Sequence, residues 1–261
     1  MNLRRRSSLL LAATLVMSDV LLLPASEIPL DARRSGYDFM SRETRAMQDD
    51  DTSNPATLWV LDGEALWNAK AGTAQKSCAD CHRDLSSMKG VAARYPAFDD
   101  KRGKAVDLES RINFCRIDHQ QAPPLASESR EMLALSAAIA RQSRGEPIAP
   151  DESKMAATID AGREIYYRRQ GQLNLSCANC HNDNWDRKLA GSALTRGHPT
   201  GYPLYRLEWQ NLGSLQRRLR NCMVGMRAES YAPGSPEFTA LEAFLMYRAR
   251  GMKLESPAVR P

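Results

Sequence analysis

Ser77-Cys78-Ala79-Asp80-Cys81-His82 recurs 99 residues later as Ser176-Cys177-Ala178-Asn179-Cys180-His181. Each stretch contains C-x-x-C-H, the attachment pattern of c-type haem. Two thiols one helical turn apart reach the two vinyl groups of a haem, and the histidine that follows stands beneath the iron as its proximal ligand. The chain has only six cysteines and four histidines, so two such matches absorb most of its thiols. A thioredoxin-like dithiol calls for one motif beside a βαβ pattern, and no strand-rich run precedes either stretch. A zinc site pooled from both motifs would leave His82 and His181, each placed for haem, without a purpose. The motifs therefore predict two covalently bound haem c groups, one on Cys78 and Cys81 and one on Cys177 and Cys180. His82 and His181 are the predicted axial iron ligands.

The same offset superposes Asp62-Gly63-Glu64-Ala65-Leu66-Trp67 on Ala161-Gly162-Arg163-Glu164-Ile165-Tyr166, and Gly72 on Gly171. The glycine-aromatic segment predicts a short helix ahead of each motif. Met132, Leu135 and Ile139 in one half, and Phe238, Leu241 and Leu245 in the other, recur at helical spacing and predict a second, amphipathic helix. Those helices are expected to end at Arg144-Gly145 and Arg250-Gly251, where glycine suits a helix C-terminus. Two helices packed across each other beside a haem resemble the cytochrome c arrangement. The predicted fold is mainly α, with two tandem cytochrome c-like haem domains related by internal duplication. Pro147 and Pro150 interrupt helical periodicity between Gly145 and Ser153, which reads as the join.

Outward from the repeat, Arg4, Arg5 and Arg6 precede the apolar run from Leu9 to Val16. A second run, Leu21 to Leu23, leads to Pro24-Ala25-Ser26. That order is the order of an export signal, although Asp19 interrupts its apolar part. The predicted division is 1–26 signal peptide, 27–55 polar N-terminal extension, 56–149 first domain and 150–261 second, catalytic domain. No later stretch approaches the roughly 20 apolar residues of a membrane span, so the mature protein is expected in the periplasm. The formal net charge of +5 falls to +3 without residues 1–26. Neither that value nor any basic run points to nucleic acid.

Cys115 and Cys222 remain after the thioethers. Each lies between its haem motif and the terminal helix of its half, and each has an arginine four positions earlier, Arg111 and Arg218. A Cys115–Cys222 disulfide suits an oxidising compartment, and a pair of buried free thiols is a further reading. The third reading makes each cysteine the distal haem ligand. Met223 and Met226 rival Cys222 in that role, and His119 and His198 are further candidates, but only Cys115 and Cys222 occupy like places in the repeat. Thiolate ligation also lowers a haem potential where methionine raises it.

Paired C-x-x-C-H motifs, a cysteine after each, and Arg-x-x-x-Cys before the last helix of each half resemble the SoxA family over roughly Asp62 to Lys253. SoxA is the dihaem subunit of the SoxAX cytochrome of periplasmic sulfur oxidation. The resemblance implies a small monohaem partner, SoxX, and oxidative coupling of thiosulfate to a cysteine of the carrier complex SoxYZ. It also implies that Cys222 is the catalytic cysteine, carried as a persulfide on the haem, with Arg218 its catalytic neighbour. If that segment is helical, Arg218 and Cys222 share a face at i, i+4. The planar guanidinium fork suits the oxygens of the thiosulfate dianion, and its charge favours a thiolate. Arg206, Arg217, Arg220 and Arg227 would add to a positive mouth. Rival readings are a thiosulfate dehydrogenase that forms tetrathionate and a dihaem electron shuttle without substrate chemistry. A dihaem peroxidase gives the matched extra cysteines no role.

Overall fold

The computed structural model describes residues 28–261, and the signal-like segment lies outside them. The extension carries α1 (Arg42–Asp49). The first half runs through α2 (Thr57–Asn68), α3 (Ala79–His82), a hairpin of β1 (Ala97–Asp99) and β2 (Lys104–Val106), α4 (Leu108–Cys115) and α5 (Arg130–Arg141). The second half repeats this order: α6 (Glu152–Tyr167), α7 (Cys177–His181), the hairpin β3 (Lys188–Leu189) and β4 (Ser192–Ala193), β5 (Leu204–Arg206), β6 (Asn211–Gly213), α8 (Leu215–Gly225) and α9 (Pro236–Arg248). β7 (Ala258–Arg260) closes the chain. No described helix is long and apolar enough to cross a membrane.

Local signals start these helices. Ser129 and Ser235 accept from the backbone N–H of Met132 and Phe238, and Pro236 occupies the first turn of α9, where its missing N–H costs nothing. The expectation of short helices ahead of the motifs is corrected: α2 has 12 residues and α6 has 16. Gly63 and Gly162 lie inside them, at the points where α2 crosses α5 and α6 crosses α9. A Cβ on Gly162 would overlap the carbonyl of Ala240, and one on Gly63 that of Ala134. The glycines trade helix propensity for backbone-to-backbone approach. Around the second crossing, Met155, Ile159, Tyr166, Phe238, Leu241 and Phe244 form one buried cluster, each large side chain contributing about 1.5–3 kcal/mol of transfer free energy.

The terminal helices stop before the expected glycines, at Arg141 and Arg248. Gly145 (φ +83°) and Gly251 (φ +80°) instead make the turns that follow. The chain between α5 and α6 is bonded to the tail after α9: Gly145 N–H donates to Leu254 O at 2.8 Å, Ile148 N–H to Met252 O at 2.9 Å and Leu254 N–H to Glu146 O at 2.9 Å. Ile148 is buried in the join. The extension is also engaged, because Asp51 pairs with Arg141 (2.6 Å) and Arg144 (2.7 Å), and Gln48 accepts from Val259 N at 3.1 Å.

After the motifs the repeat changes register. Tyr95-Pro96, Arg111 and Cys115 match Tyr202-Pro203, Arg218 and Cys222 at an offset of 107, eight more than before. The extra residues fall in the stretch that forms the β3–β4 hairpin, and both Tyr–Pro bonds are cis.

Gly162→Ala forces α6 from α9 and is expected to lower stability by about 1–3 kcal/mol, read as a lower Tm of the holo-protein. Gly225→Ala, whose Cβ meets nothing within 4 Å, should leave Tm unchanged or slightly raised.

Candidate functional site

The serine before each motif caps the motif helix. Ser77 Oγ accepts from Asp80 N at 3.1 Å while Asp80 Oδ2 accepts from Ser77 N at 2.8 Å. Ser176 and Asn179 repeat this capping box at 3.4 and 3.0 Å. The loop ahead of each motif is tied to the backbone just past the extra cysteine. Ala74 N–H donates to Gln120 O at 3.2 Å, and Gln172 N–H to Arg227 O at 3.1 Å. Gly72 (φ +66°) and Gly171 (φ +72°) lie against those same segments with no room for a Cβ. This lacing brings Cys115 to Cys78 and Cys81, and Cys222 to Cys177 and Cys180.

In the first half these groups line a cavity of about 500 Å³ that includes Cys78, Cys81, His82 and Cys115, with Trp67, Ile112 and Leu135 among its apolar walls. That volume lies in the range of pockets that enclose a ligand of cofactor size, roughly 300–1,000 Å³. Burial pushes the Cys78 and Cys115 thiols up; the neighbouring Cys115 adds to the rise at Cys78, and Arg111 opposes it at Cys115. Cys115 ends α4, and a π turn over Arg116–Gln120 follows, placing His119 on the same cavity.

In the second half, His181 Nδ1 lies 2.6 Å from Thr195 O. A carbonyl only accepts, so Nδ1 carries the proton and the Nε2 lone pair is left available, the arrangement common to metal-binding histidines. Burial, with Arg248 and Arg218 adding, holds the His181 pKa below its ordinary value. Burial, reinforced by Cys222, pushes the Cys177 thiol up to about 12. The donor set fits covalent haem in both halves, but His82 is exposed and His181 is half-buried.

Arg218 and Cys222 both lie in α8, half-buried on one stripe, as the i, i+4 spacing requires. Arg218 has no carboxylate partner among the described residues, and its charge reaches His181 and Tyr202. The other arginines separate from it. Arg217 faces Glu128 at 3.7 Å and stacks 4.2 Å from Trp209. Arg206 pairs with Glu208 at 2.9 Å. Arg220 and Arg227 are exposed. All six thiols are free, and Cys115 and Cys222 each face their own motif, which leaves the disulfide reading without support. Met223 and Met226 are buried in the core cluster of the second half. His198 Nδ1 is bonded to Arg34 O at 2.8 Å.

Tyr202 and Arg248 carry no motif and are visible only in three dimensions. Arg248 donates to Tyr166 Oη at 2.6 Å, to Asn182 Oδ1 at 2.9 Å and to Arg196 O at 3.2 Å. It thereby ties α6 and α9 to the chain after the motif. The one signal for Tyr202 is its match to Tyr95, whose hydroxyl receives Arg111 Nε at 3.2 Å.

The chain matches the family described as "SoxA/TsdA, cytochrome c domain" at residues 62–148 and 161–254. It is 37% identical to the L-cysteine S-thiosulfotransferase subunit SoxA of Pseudaminobacter salicylatoxidans over 89% of this chain and 82% of that protein. It is 38% identical to the SoxA subunit of Rhodovulum sulfidophilum over 88% and 81%. The chain belongs to the SoxA family. The crystal structure of SoxXA from P. pantotrophus superposes with a TM-score of 0.85 at 35% identity, covering 88% of this chain and 87% of that one. The mainly α fold of paired cytochrome c domains follows, and family membership brings covalently bound haem c with it.

Arg248→Met leaves Tyr166 and Asn182 without their shared donor. The expected loss is about 2–3 kcal/mol of stability, measured as a lower Tm together with weaker retention of second-half structure by hydrogen exchange.

Proposed function

We propose that this chain is the dihaem subunit of a periplasmic L-cysteine S-thiosulfotransferase. It works with a small SoxX-type cytochrome and joins thiosulfate to a cysteine of a SoxYZ-type carrier. The observation that carries the reading is the placement of Arg218 and Cys222 on one stripe of α8 beside Cys177, Cys180 and His181. A guanidinium without a carboxylate partner among the described residues stands near a half-buried thiol, the arrangement an incoming sulfur dianion needs.

In the proposed reaction a sulfur–sulfur bond forms between the terminal sulfur of thiosulfate and the carrier thiol, the thiol proton leaves to solvent, and two electrons are released. Cys78 and Cys81 with His82, and Cys177 and Cys180 with His181, would hold haem c, which would supply one-electron acceptors between the reacting sulfur and the partner cytochrome. Cys115 and Cys222, each facing its own motif, would be further ligands of those groups. Arg218 binds and orients the sulfonate oxygens. Cys222 presents the sulfur that mediates the coupling, as thiolate or persulfide. The second half, from residue 150, is the catalytic domain, and the half spanning 56–149 provides an electron path. Residues 1–26 are the export signal and 27–55 an extension, which Gln48 ties to the tail.

Intact mass of the purified chain should correspond to residues after the signal plus two haems; a mass with one haem removes the dihaem assignment. Cys222→Met should keep both haems and lose at least about 100-fold in carrier-dependent turnover, and Arg218→Ala should lose on the order of 10- to 100-fold. Lysine at 218 should rescue only in part, since it lacks the planar fork. Undiminished turnover in Cys222→Met would remove that residue from the chemistry. The family description also covers TsdA, and tetrathionate formed without carrier would favour the thiosulfate dehydrogenase reading.

A further inference from the structure

Where the two halves meet, a cavity of about 90 Å³ is walled by Asp107, Glu109, Ser136, Gln216 and Glu242. It has room for several waters, each needing roughly 10–15 Å³ of such space. Tyr95 and Leu108 line both this cavity and the 500 Å³ cavity of the first half. Tyr202 closes the other side, within reach of the charges of Arg218 and Cys222. The cavity therefore borders both haem motifs' surroundings.

Its carboxylates meet no cation. Asp107 accepts from Gln216 Nε2 at 2.8 Å and from Ser110 N at 2.6 Å. Glu109 faces Asp107 and Glu128, and Glu128 is turned toward Arg217 at 3.7 Å and Ser214 N at 3.2 Å. Glu242 faces Asp107, Glu109 and the amide of Gln216. The Tyr95 hydroxyl is taken by Arg111. Neither Glu109 nor Glu242 has a cationic partner among the described residues. The Ser136 hydroxyl, 2% exposed, lines the same space without a hydrogen-bond partner. Among the described residues no three acidic, histidine or cysteine side chains converge as a metal site.

Glu109 and Glu242 are half-buried, and like charges held together there without a cation ionise less readily than in water, which favours retention of a proton. Burial, with Asp107 and Glu128 adding, raises Glu109 to about 8, and burial with Asp107 and Glu109 raises Glu242 well above the carboxylate range.

We propose that this cavity is an internal proton-binding site, in which Glu109 and Glu242 share a proton whose occupancy follows the electron charge on the flanking haem sites. An electron arriving from sulfur oxidation adds one negative charge. A proton drawn from solvent onto the Glu109–Glu242 pair offsets it, and both depart when the partner cytochrome takes the electron. Only an O–H bond forms and breaks. The proton site stands on the chain alone; its coupling rests on the haem assignment above.

The sign for stability follows from the raised values. The folded chain holds protons that the unfolded chain has released, so the pair's contribution to stability is fully present below the ordinary glutamate value and is lost as pH rises toward about 8. The experiment compares the holo-protein with Glu109→Gln and Glu242→Gln by thermal unfolding and by potentiometric titration of the haems, each from about pH 5 to about pH 9. Relative to each glutamine variant, native protein should lose Tm as pH rises across that range. A haem midpoint should fall with pH by up to about 59 mV per unit, the one-electron equivalent of a tenfold change, and the slope should flatten in the variants. Melting and titration curves with unchanged pH dependence in both variants overturn the site. A flattened melting response with an unchanged potential slope overturns the coupling. A Tm raised by calcium and lowered again by a chelator overturns the proton in favour of a cation. A mass with one haem overturns the dihaem assignment and leaves the melting comparison intact.

Discussion

The backbone of Gly162 lies directly against the main-chain carbonyl of Ala240, and Gly63 lies against that of Ala134. Everything near the haem motifs depends on these two approaches. They set how closely the helix before each motif crosses the terminal helix of its half, and so where the capped turn of Cys78 or Cys177 emerges. The buried cluster around Tyr166, Phe238 and Phe244 closes over the second crossing. Arg248, reaching from α9 to Tyr166 and Asn182, fixes the chain on both sides of Cys177–His181.

The duplication has diverged where chemistry asks for it. His82 is exposed, 5.7 Å from the Trp67 ring, whereas His181 is gripped by Thr195 O. Cys115 sits at the last residue of its helix, followed by a π turn, whereas Cys222 lies inside α8 with helix on both sides. Glu109 is matched by Gln216 at the same offset of 107, so at this matched position one half gives the shared cavity a carboxylate and the other an amide. Each half has an arginine four positions before its extra cysteine, but Arg111 pairs with Asp99 at 3.1 Å, whereas Arg218 has no carboxylate partner among the described residues.

The halves are not loosely strung. Val259 of β7 and the extension meet at Gln48, and β7 runs parallel to β5, which pairs with β6 just ahead of α8. The join between α5 and α6 is bonded to the tail after α9. Chain segments far apart in sequence thus position α8 on α9, with Arg218 and Cys222 within reach of the charges on Cys177, Cys180 and His181.

The sequence by itself determined the haem motifs, the duplication, the existence of α5 and α9, and the i, i+4 pairing of Arg218 with Cys222. All of these are short-range patterns of spacing, and helical or thioether geometry reads them directly. It did not show that α5 and α9, expected to be amphipathic, are buried along nearly their whole length. It did not determine the length of α2 and α6, because a glycine inside a helix looks like an end until the crossing partner is known. It could not rank Arg217 below Arg218, since Glu128 and Trp209, which engage Arg217, are distant in the chain. Nor could it show Arg248, Tyr202 or the acidic cavity. Burial and unlike-sign partners arise only when separate helices pack, and it is packing that turns an ordinary glutamate into a proton-holding one.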